Sequence, residues 1–262
     1  MSEHECLHFE RDGHVLRVTI DHPRSDLNAV DATLHHELTR LFAELRRETQ
    51  ARCILLTGRG RAFCAGGDFG WFPELREPGA SEALRLDAKQ MIQDLVDVEV
   101  PIVAALNGHA IGLGASIALL CDVIFMSSKA TIGDPHVRVG LVAGDGGAVI
   151  WPLAVGPARA KRYLLTGDAL SAAEAERIGL VNEVCDPDDL DATAMAFAQR
   201  IAAGPPLAIR YTKLAVNKLV KDALNTAFDT STALELLTFR SDDHAEALAA
   251  IADKREPRFE GR

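Results

Sequence analysis

From Val100 through Cys121 the chain carries no Lys, Arg, Asp or Glu. A stretch of that length can span a bilayer, but this one contains Pro101, Asn107, Gly108, His109, Gly112 and Gly114. Turn-forming and polar residues in mid-stretch favour a strand over Ile102–Leu106, a glycine turn and a buried helix over Gly112–Leu120, rather than a membrane helix. The strand–helix–strand unit recurs along the chain, which points to an α/β core.

The flanking sequence fits that reading. Leu7–Glu10 and Val15–Ile20 bracket Arg11-Asp12-Gly13-His14, a hairpin signal. Leu34, Leu38, Leu41, Phe42 and Leu45 recur at helical spacing, and Cys53–Thr57, closed by Gly58, reads as a buried strand. Val123–Met126 and Val181–Val184 are further short strands, and Ser171-Ala172-Ala173-Glu174 opens a helix with a capping-box pattern that stops at Gly179. Beyond about Leu190 strand signals vanish. Ala192–Ala203, Leu207–Leu219 and Thr226–Leu237 read as helices, broken at Gly204-Pro205-Pro206. The expected organisation is an α/β core over 1–190 and a helical C-terminal region over 191–262.

A net charge of −10 argues against nucleic acid or an anionic membrane surface as partner. The five cysteines are scattered with no Cys-x-x-Cys pair, so neither a metal nor a redox motif is expected. The opening MSEHECLHFE has no basic segment leading into an apolar run, and a reducing cytoplasm is the expected location.

Three glycine-rich turns stand where chemistry would sit: Arg61–Asp68, Asn107–Gly114 and Gly140–Gly147. Glycines admit close approach of a ligand to backbone, and amides at a helix start are unsatisfied and suit a developing oxyanion. Taken singly, such glycines can equally do no more than tighten turns.

Together these segments resemble the enoyl-CoA hydratase/isomerase family, the crotonase superfamily. The resemblance runs through Leu27-Asn28-Ala29, Ala62–Asp68, Ala105–Gly108 with Gly112-Leu113-Gly114, Cys121-Asp122, Leu165–Asp168, Ala175–Val181 and the tail from Asp243-His244 through Lys254-Arg255 to Phe259. It implies a spiral of ββα units with C-terminal helices that drive assembly into a homotrimer or a dimer of trimers. It implies an acyl-CoA thioester as substrate, with coenzyme A entering as part of it and no prosthetic group or metal. Carried over position by position, the amides of Gly67 and Leu113 become an oxyanion hole. Arg24, Asp26, Leu27, Asn28, Ala65 and Asp68 would line the CoA, with Lys254 and Phe259 near its adenine end. Arg59 and Arg61 would help offset phosphate charge. Trp71, Phe72, Leu75 and Trp151 are the expected pocket walls, suggesting a bulky apolar acyl group.

The catalytic positions depart from the hydratase pattern. The two glutamates that such enzymes place in the pocket are replaced by Ser116 and by His136 of Gly133-Asp134-Pro135-His136. Ser116 is expected to be a small wall residue. A new acid, Asp145, stands in Gly144-Asp145-Gly146-Gly147. His136, which titrates near neutrality, is expected to handle the proton, with Asp145 as its ionised partner or the group that orients water. Family members that make or break carbon–carbon bonds look similar here. Dihydroxynaphthoyl-CoA synthases carry Asp-Gly-Gly, and a diketone hydrolase acting on oxocamphor resembles Pro135-His136, Gly144-Asp145-Gly146 and Trp151-Pro152. The leading reaction is hydration or double-bond migration of an enoyl-CoA. The alternative is hydrolysis of a carbon–carbon bond in a β-keto acyl-CoA. A CoA-binding protein without catalysis is a further possibility. So is a serine hydrolase using Ser116, Asp145 and a later histidine such as His244, although Ala118 replaces the last glycine of a nucleophile elbow.

Overall fold

The computed structural model describes residues 4–262. In chain order the strands and helices are β1 (Leu7–Asp12), β2 (Val15–Ile20), α1 (Ala32–Leu45), β3 (Cys53–Gly58), β4 (Ala62–Cys64), α2 (Phe72–Leu75) and α3 (Pro78–Asp97). There follow β5 (Ile102–Leu106), β6 (His109–Ile111), α4 (Leu113–Leu120), β7 (Val123–Ser127), β8 (Thr131–Gly133), a 3-10 turn over His136–Val139, α5 (Gly147–Val155) and α6 (Pro157–Leu164). The chain ends with β9 (Leu170–Ser171), α7 (Ala172–Arg177), β10 (Glu183–Cys185), α8 (Leu190–Ala202), α9 (Pro206–Phe239) and α10 (Asp242–Ala252).

Two sheets carry these elements, one in the order β1-β2-β3-β5-β7-β10 and one in the order β4-β6-β8-β9. The β1–β2 hairpin is antiparallel, and every other neighbour in the large sheet is parallel. The small sheet is parallel from β4 to β8 and takes β9 antiparallel. The pairs β3 and β4, β5 and β6, and β7 and β8 each divide between the two sheets, and helix follows each pair. This is the expected spiral of ββα units. The small sheet was not legible in the sequence, because strands of two or three residues show no alternation to read.

The large sheet is buried on both faces. Leu16, Val18, Ile54, Leu56, Ile102 and Ala104 pack into the main core with α1. The alternate residues Val15, Cys53, Leu55, Val103 and Ala105 pack against α8. Ala194, Ala198 and Ala202 form a small-residue stripe that lets α8 lie close to the sheet. On the other side, α1 is capped by Asp31, whose Oδ1 accepts from Leu34 N at 3.0 Å. α4 presses onto β4 so tightly that a Cβ on Gly114 would stand 2.1 Å from the Cys64 carbonyl oxygen.

α9 is one helix of 34 residues where two were expected. No Gly or Pro lies between Pro206 and Phe239, so once started nothing in the sequence stops it. It is tied down by Lys213, whose ammonium donates to Asp122 Oδ2 at 2.7 Å and to the Val100 carbonyl at 3.1 Å. The helical region beyond residue 190 is therefore continuous with the core. Among the described residues no helix is long and apolar enough to cross a membrane.

Candidate active site

The first glycine turn is held by a parallel bridge between Val30 and Gly67. Val30 N donates to the Gly66 carbonyl at 2.8 Å and the Val30 carbonyl accepts from Asp68 N at 3.0 Å. Both bonds come from the residues flanking Gly67, so the Gly67 amide points to the opposite side. Leu113 is the first residue of α4, where the helix offers no acceptor for its N–H. Gly67 and Leu113 both border one narrow cavity of about 70 Å³, walled by Val30, Trp71, Phe72, Leu75, Leu141 and Phe239.

The same cavity is bordered by His136, Asp145 and Glu235. His136 opens the 3-10 turn that ends at Gly140. Its Nδ1 makes a short hydrogen bond with Asp134 Oδ1, two residues earlier in the chain. Its Nε2 faces Asp145 Oδ2 at 3.5 Å and Glu235 Oε1 at 3.9 Å. Asp145 is anchored by Ser116, whose hydroxyl donates to Oδ1 at 3.1 Å, and by the Gly147 amide. Glu235 comes from the far end of α9 and borders the cavity past Gly144, where a Cβ would stand 2.4 Å from Glu235 Oε2.

Burial opposes charge on His136, but the Asp134, Asp145 and Glu235 carboxylates outweigh it and hold the imidazole well above its ordinary range. Burial pushes Asp145 up, and the nearby His136 with the Ser116 and Gly147 hydrogen bonds offsets only part of that. Burial, reinforced by Asp145 and Asp134 against the pull of His136, raises Glu235 to about 8. The cluster thus pairs an imidazole whose protonated form is favoured by its carboxyl neighbours with two carboxyls, Asp145 and Glu235, whose neutral forms are favoured by burial. Asp134, His136 and Asp145 offer ligand atoms within 4.8 Å of one another. A cation there would compete with a proton on His136 and with the Asp134 hydrogen bond.

Several expected site residues fall elsewhere. Trp151 is fully buried in α5, packed near Tyr163, and forms no part of the cavity wall. Ser116 lies behind Asp145 and is likewise sealed from the cavity. Asn28 was expected to contact CoA, but it is buried with φ +49°, and its side chain is spent within the protein. Its Nδ2 donates to the Arg59, Ala62 and Phe63 carbonyls and its Oδ1 accepts from His22 N. Leu27 and Ala65 do run side by side, joined by an Ala65 N to Leu27 carbonyl bond of 3.0 Å. Arg24 is paired with Glu5 and Asp31, Arg59 with Asp21, and Arg61 with Asp26, which is exposed. The Asp68 carboxylate caps its own turn at Gly70 N. Lys254 and Phe259 are exposed on the tail, which folds back on α10 through Glu246 and Asp243.

His244 does not complete a serine triad. Its Nδ1 hydrogen-bonds to the Val139 carbonyl at 2.6 Å, and its Nε2 is sealed without a partner between Phe72 and Phe239. Two members of the ionic cluster, Asp134 and Glu235, were missed in the sequence. Asp134 stands beside His136 in the sequence, but nothing in that pattern assigns it a role. Glu235 belongs to no motif, and only the path of α9 brings it in.

Over residues 10–262 the chain matches the model of the enoyl-CoA hydratase/isomerase family. It is 32% identical over 251 residues to a short-chain-enoyl-CoA hydratase from Clostridium acetobutylicum, covering 95% of each chain. An enoyl-CoA hydratase/isomerase structure from Mycobacterium paratuberculosis superposes with a TM-score of 0.88 at 36% identity, over 94% of this chain and 98% of that one. A β-diketone hydrolase from the cyanobacterium Anabaena, bound to an oxocyclohexyl acetic acid, superposes with a TM-score of 0.85 at 32% identity, over 90% and 95%.

Proposed function

Because the chain belongs to the enoyl-CoA hydratase/isomerase family and is thus an acyl-CoA-processing enzyme of the crotonase type, we propose that it forms an enolate of a CoA thioester between the Gly67 and Leu113 amides, with His136 and Asp145 moving the proton. The observation that carries this is the meeting of both amides with the His136–Asp145 pair on one cavity. Two amide donors stabilise charge as it develops on the thioester oxygen, a contribution of about 3 kcal/mol per donor in comparable sites.

The leading reaction is addition of water to an enoyl-CoA, or migration of its double bond. In hydration, Asp145, made more basic by burial, takes a proton from water as its oxygen bonds to Cβ. The His136 imidazolium then delivers a proton to Cα. Asp134 holds the ring so that Nε2 faces the cavity, and Ser116 fixes Asp145. Glu235, protonated near neutrality, limits repulsion in the cluster. No prosthetic group takes part, and coenzyme A enters with its acyl cargo along the Arg24–Asn28 and Ala65–Asp68 segments, with Lys254 and Phe259 toward its adenine end.

A second reading is hydrolysis of a carbon–carbon bond in a β-keto acyl-CoA: both usual glutamates are absent, and the His136–Asp145–Glu235 group sits in a fold similar to that of a β-diketone hydrolase. There the water oxygen would bond to the β-keto carbon and the Cα–Cβ bond would break. The electron pair would pass to the enolate, and His136 would protonate Cα, leaving a shortened acyl-CoA and a carboxylic acid. Crotonyl-CoA and a β-keto acyl-CoA, each incubated with wild type, His136→Ala and Asp145→Asn, decide between them. Hydration lost in both variants supports the leading reading, and cleavage lost in both supports the second. Rapid hydration untouched by either change overturns the assigned roles.

The exposed Leu207, Tyr211, Val216, Leu219, Leu234 and Leu237 of α9 support assembly as a trimer or a dimer of trimers, which a stable monomer in light scattering would contradict. Five buried, free thiols suit a reducing compartment such as the cytoplasm.

A further inference from the structure

His35 stands apart from the machinery just described. It lies in the first turn of α1, four residues after the N-cap Asp31, and it borders the same cavity as Gly67 and Leu113. It is 5% exposed, and its ring packs at a tilt against Trp71, with centroids 5.6 Å apart. Neither ring nitrogen has a hydrogen-bond partner among the described residues. Nor are those nitrogens sealed in the interior as His244 Nε2 and Trp151 Nε1 are. His35 shares the lining of that cavity with the apolar Trp71, Leu84 and Ala88. Burial holds His35 down to about 4, with Asp87 offsetting only part of it, so the ring is neutral at physiological pH. A neutral imidazole carries one donor and one acceptor.

We propose that His35 is a specificity-determining residue that hydrogen-bonds an oxygen carried by the acyl group away from the thioester, so that the preferred substrates are acyl-CoAs bearing a keto or hydroxyl group on the chain or ring. The inference rests on the acyl-CoA reading above and narrows its substrate class. An acyl group that fills the cavity expels the water that otherwise satisfies His35. A plain hydrocarbon then leaves the imidazole unpaired, whereas an oxygenated one pairs with it. The neighbouring Arg85 is already held in a double hydrogen bond by Glu82, which leaves His35 as the polar group on this wall without a partner among the described residues.

The test is calorimetric binding of octanoyl-CoA and its γ-, δ- and ε-oxo counterparts, none of which has a double bond or a β-keto group for the enzyme to attack. Wild type is expected to bind at least one oxo compound about tenfold more tightly than octanoyl-CoA, the worth of one hydrogen bond. His35→Phe, which keeps the contact with Trp71, is expected to bring the two within twofold by weakening the oxo compound alone. His35→Gln, which keeps a donor and an acceptor, is expected to retain part of the preference. Equal binding of all four by wild type overturns the inference, as does an undiminished preference in His35→Phe. Failure of wild type to bind any of the four overturns the acyl-CoA reading itself, and this inference with it.

Discussion

Glu235 borders the cavity only because residue 144 has no side chain: a Cβ on Gly144 would stand 2.4 Å from Glu235 Oε2 and 2.5 Å from its Cβ. The Ser231 carbonyl, 2.8 Å from the same point, closes the other exit. The Gly140–Gly147 loop and the long C-terminal helix are thus fitted to one another at this glycine. Gly144→Ala should move α9 away from the loop. It is expected to lower turnover as far as Glu235→Ala does and to reduce stability by about 1–3 kcal/mol through overpacking. Paired kinetic and denaturation measurements check it, and unchanged turnover would show that Glu235 need not stay where it is.

Asp134 acts through His136. Asp134→Asn removes the charge that fixes the ring and helps hold its proton, and it is expected to lower kcat by about a hundredfold or more. NMR titration of the His136 ring supplies the readout that mere structural damage would not move. The ring should titrate at lower pH in the variant, and an unshifted titration would contradict the role.

The carboxyl of Glu235 sets a pH dependence of stability. Its folded value, about 8, lies above the ordinary glutamate value of 4.5. The folded state therefore binds the proton more tightly, and the associated stability is complete below pH 4.5 and is lost as pH rises toward 8. His136, also raised, adds a loss of the same sign that begins only above its ordinary 6.5, and Asp145, raised too, adds one that begins above its ordinary 3.8. Glu235→Gln should therefore make the decline shallower, most visibly between pH 4.5 and 6.5. Denaturation midpoints across this range measure it, and an unchanged slope would contradict the assignment.

Asn28 gathers four backbone groups from three segments and holds a left-handed backbone that asparagine tolerates better than most residues. Asn28→Ala leaves those groups without their partner and is expected to cost about 2–4 kcal/mol. Thermal unfolding tests this, and a loss under about 1 kcal/mol would mean that water replaces the side chain.

Much of this architecture is legible in the residues. The apolar runs at Cys53 and Ile102 mark parallel strands buried on both faces, and the stripe from Leu34 to Leu45 marks α1. α3 was not legible, since its twenty residues mix charge into a weak apolar stripe. The site divides in the same way. Gly67, Leu113, His136 and Asp145 lie in short motifs whose chemistry is local. Asp134 hides in a turn, Glu235 arrives from a helix ninety positions after Asp145 in the numbering, and His35 looks like any helix residue until Trp71 packs beside it. Trp151 misled in the opposite sense, because a large aromatic near a motif can belong to the core as readily as to a pocket.

The central claim is that this cavity makes a thioester enolate and that His136 with Asp145 manages its proton. Turnover of an enoyl-CoA or β-keto acyl-CoA in heavy water, with deuterium at Cα of the product read by mass spectrometry, tests that claim most directly. Wild type should place deuterium at Cα in hydration and in carbon–carbon cleavage, and at Cα or Cγ if it moves the double bond. His136→Ala and Asp145→Asn should slow that incorporation by about a hundredfold or more. Turnover without deuterium at Cα or Cγ, or incorporation at the wild-type rate in both variants, would contradict it.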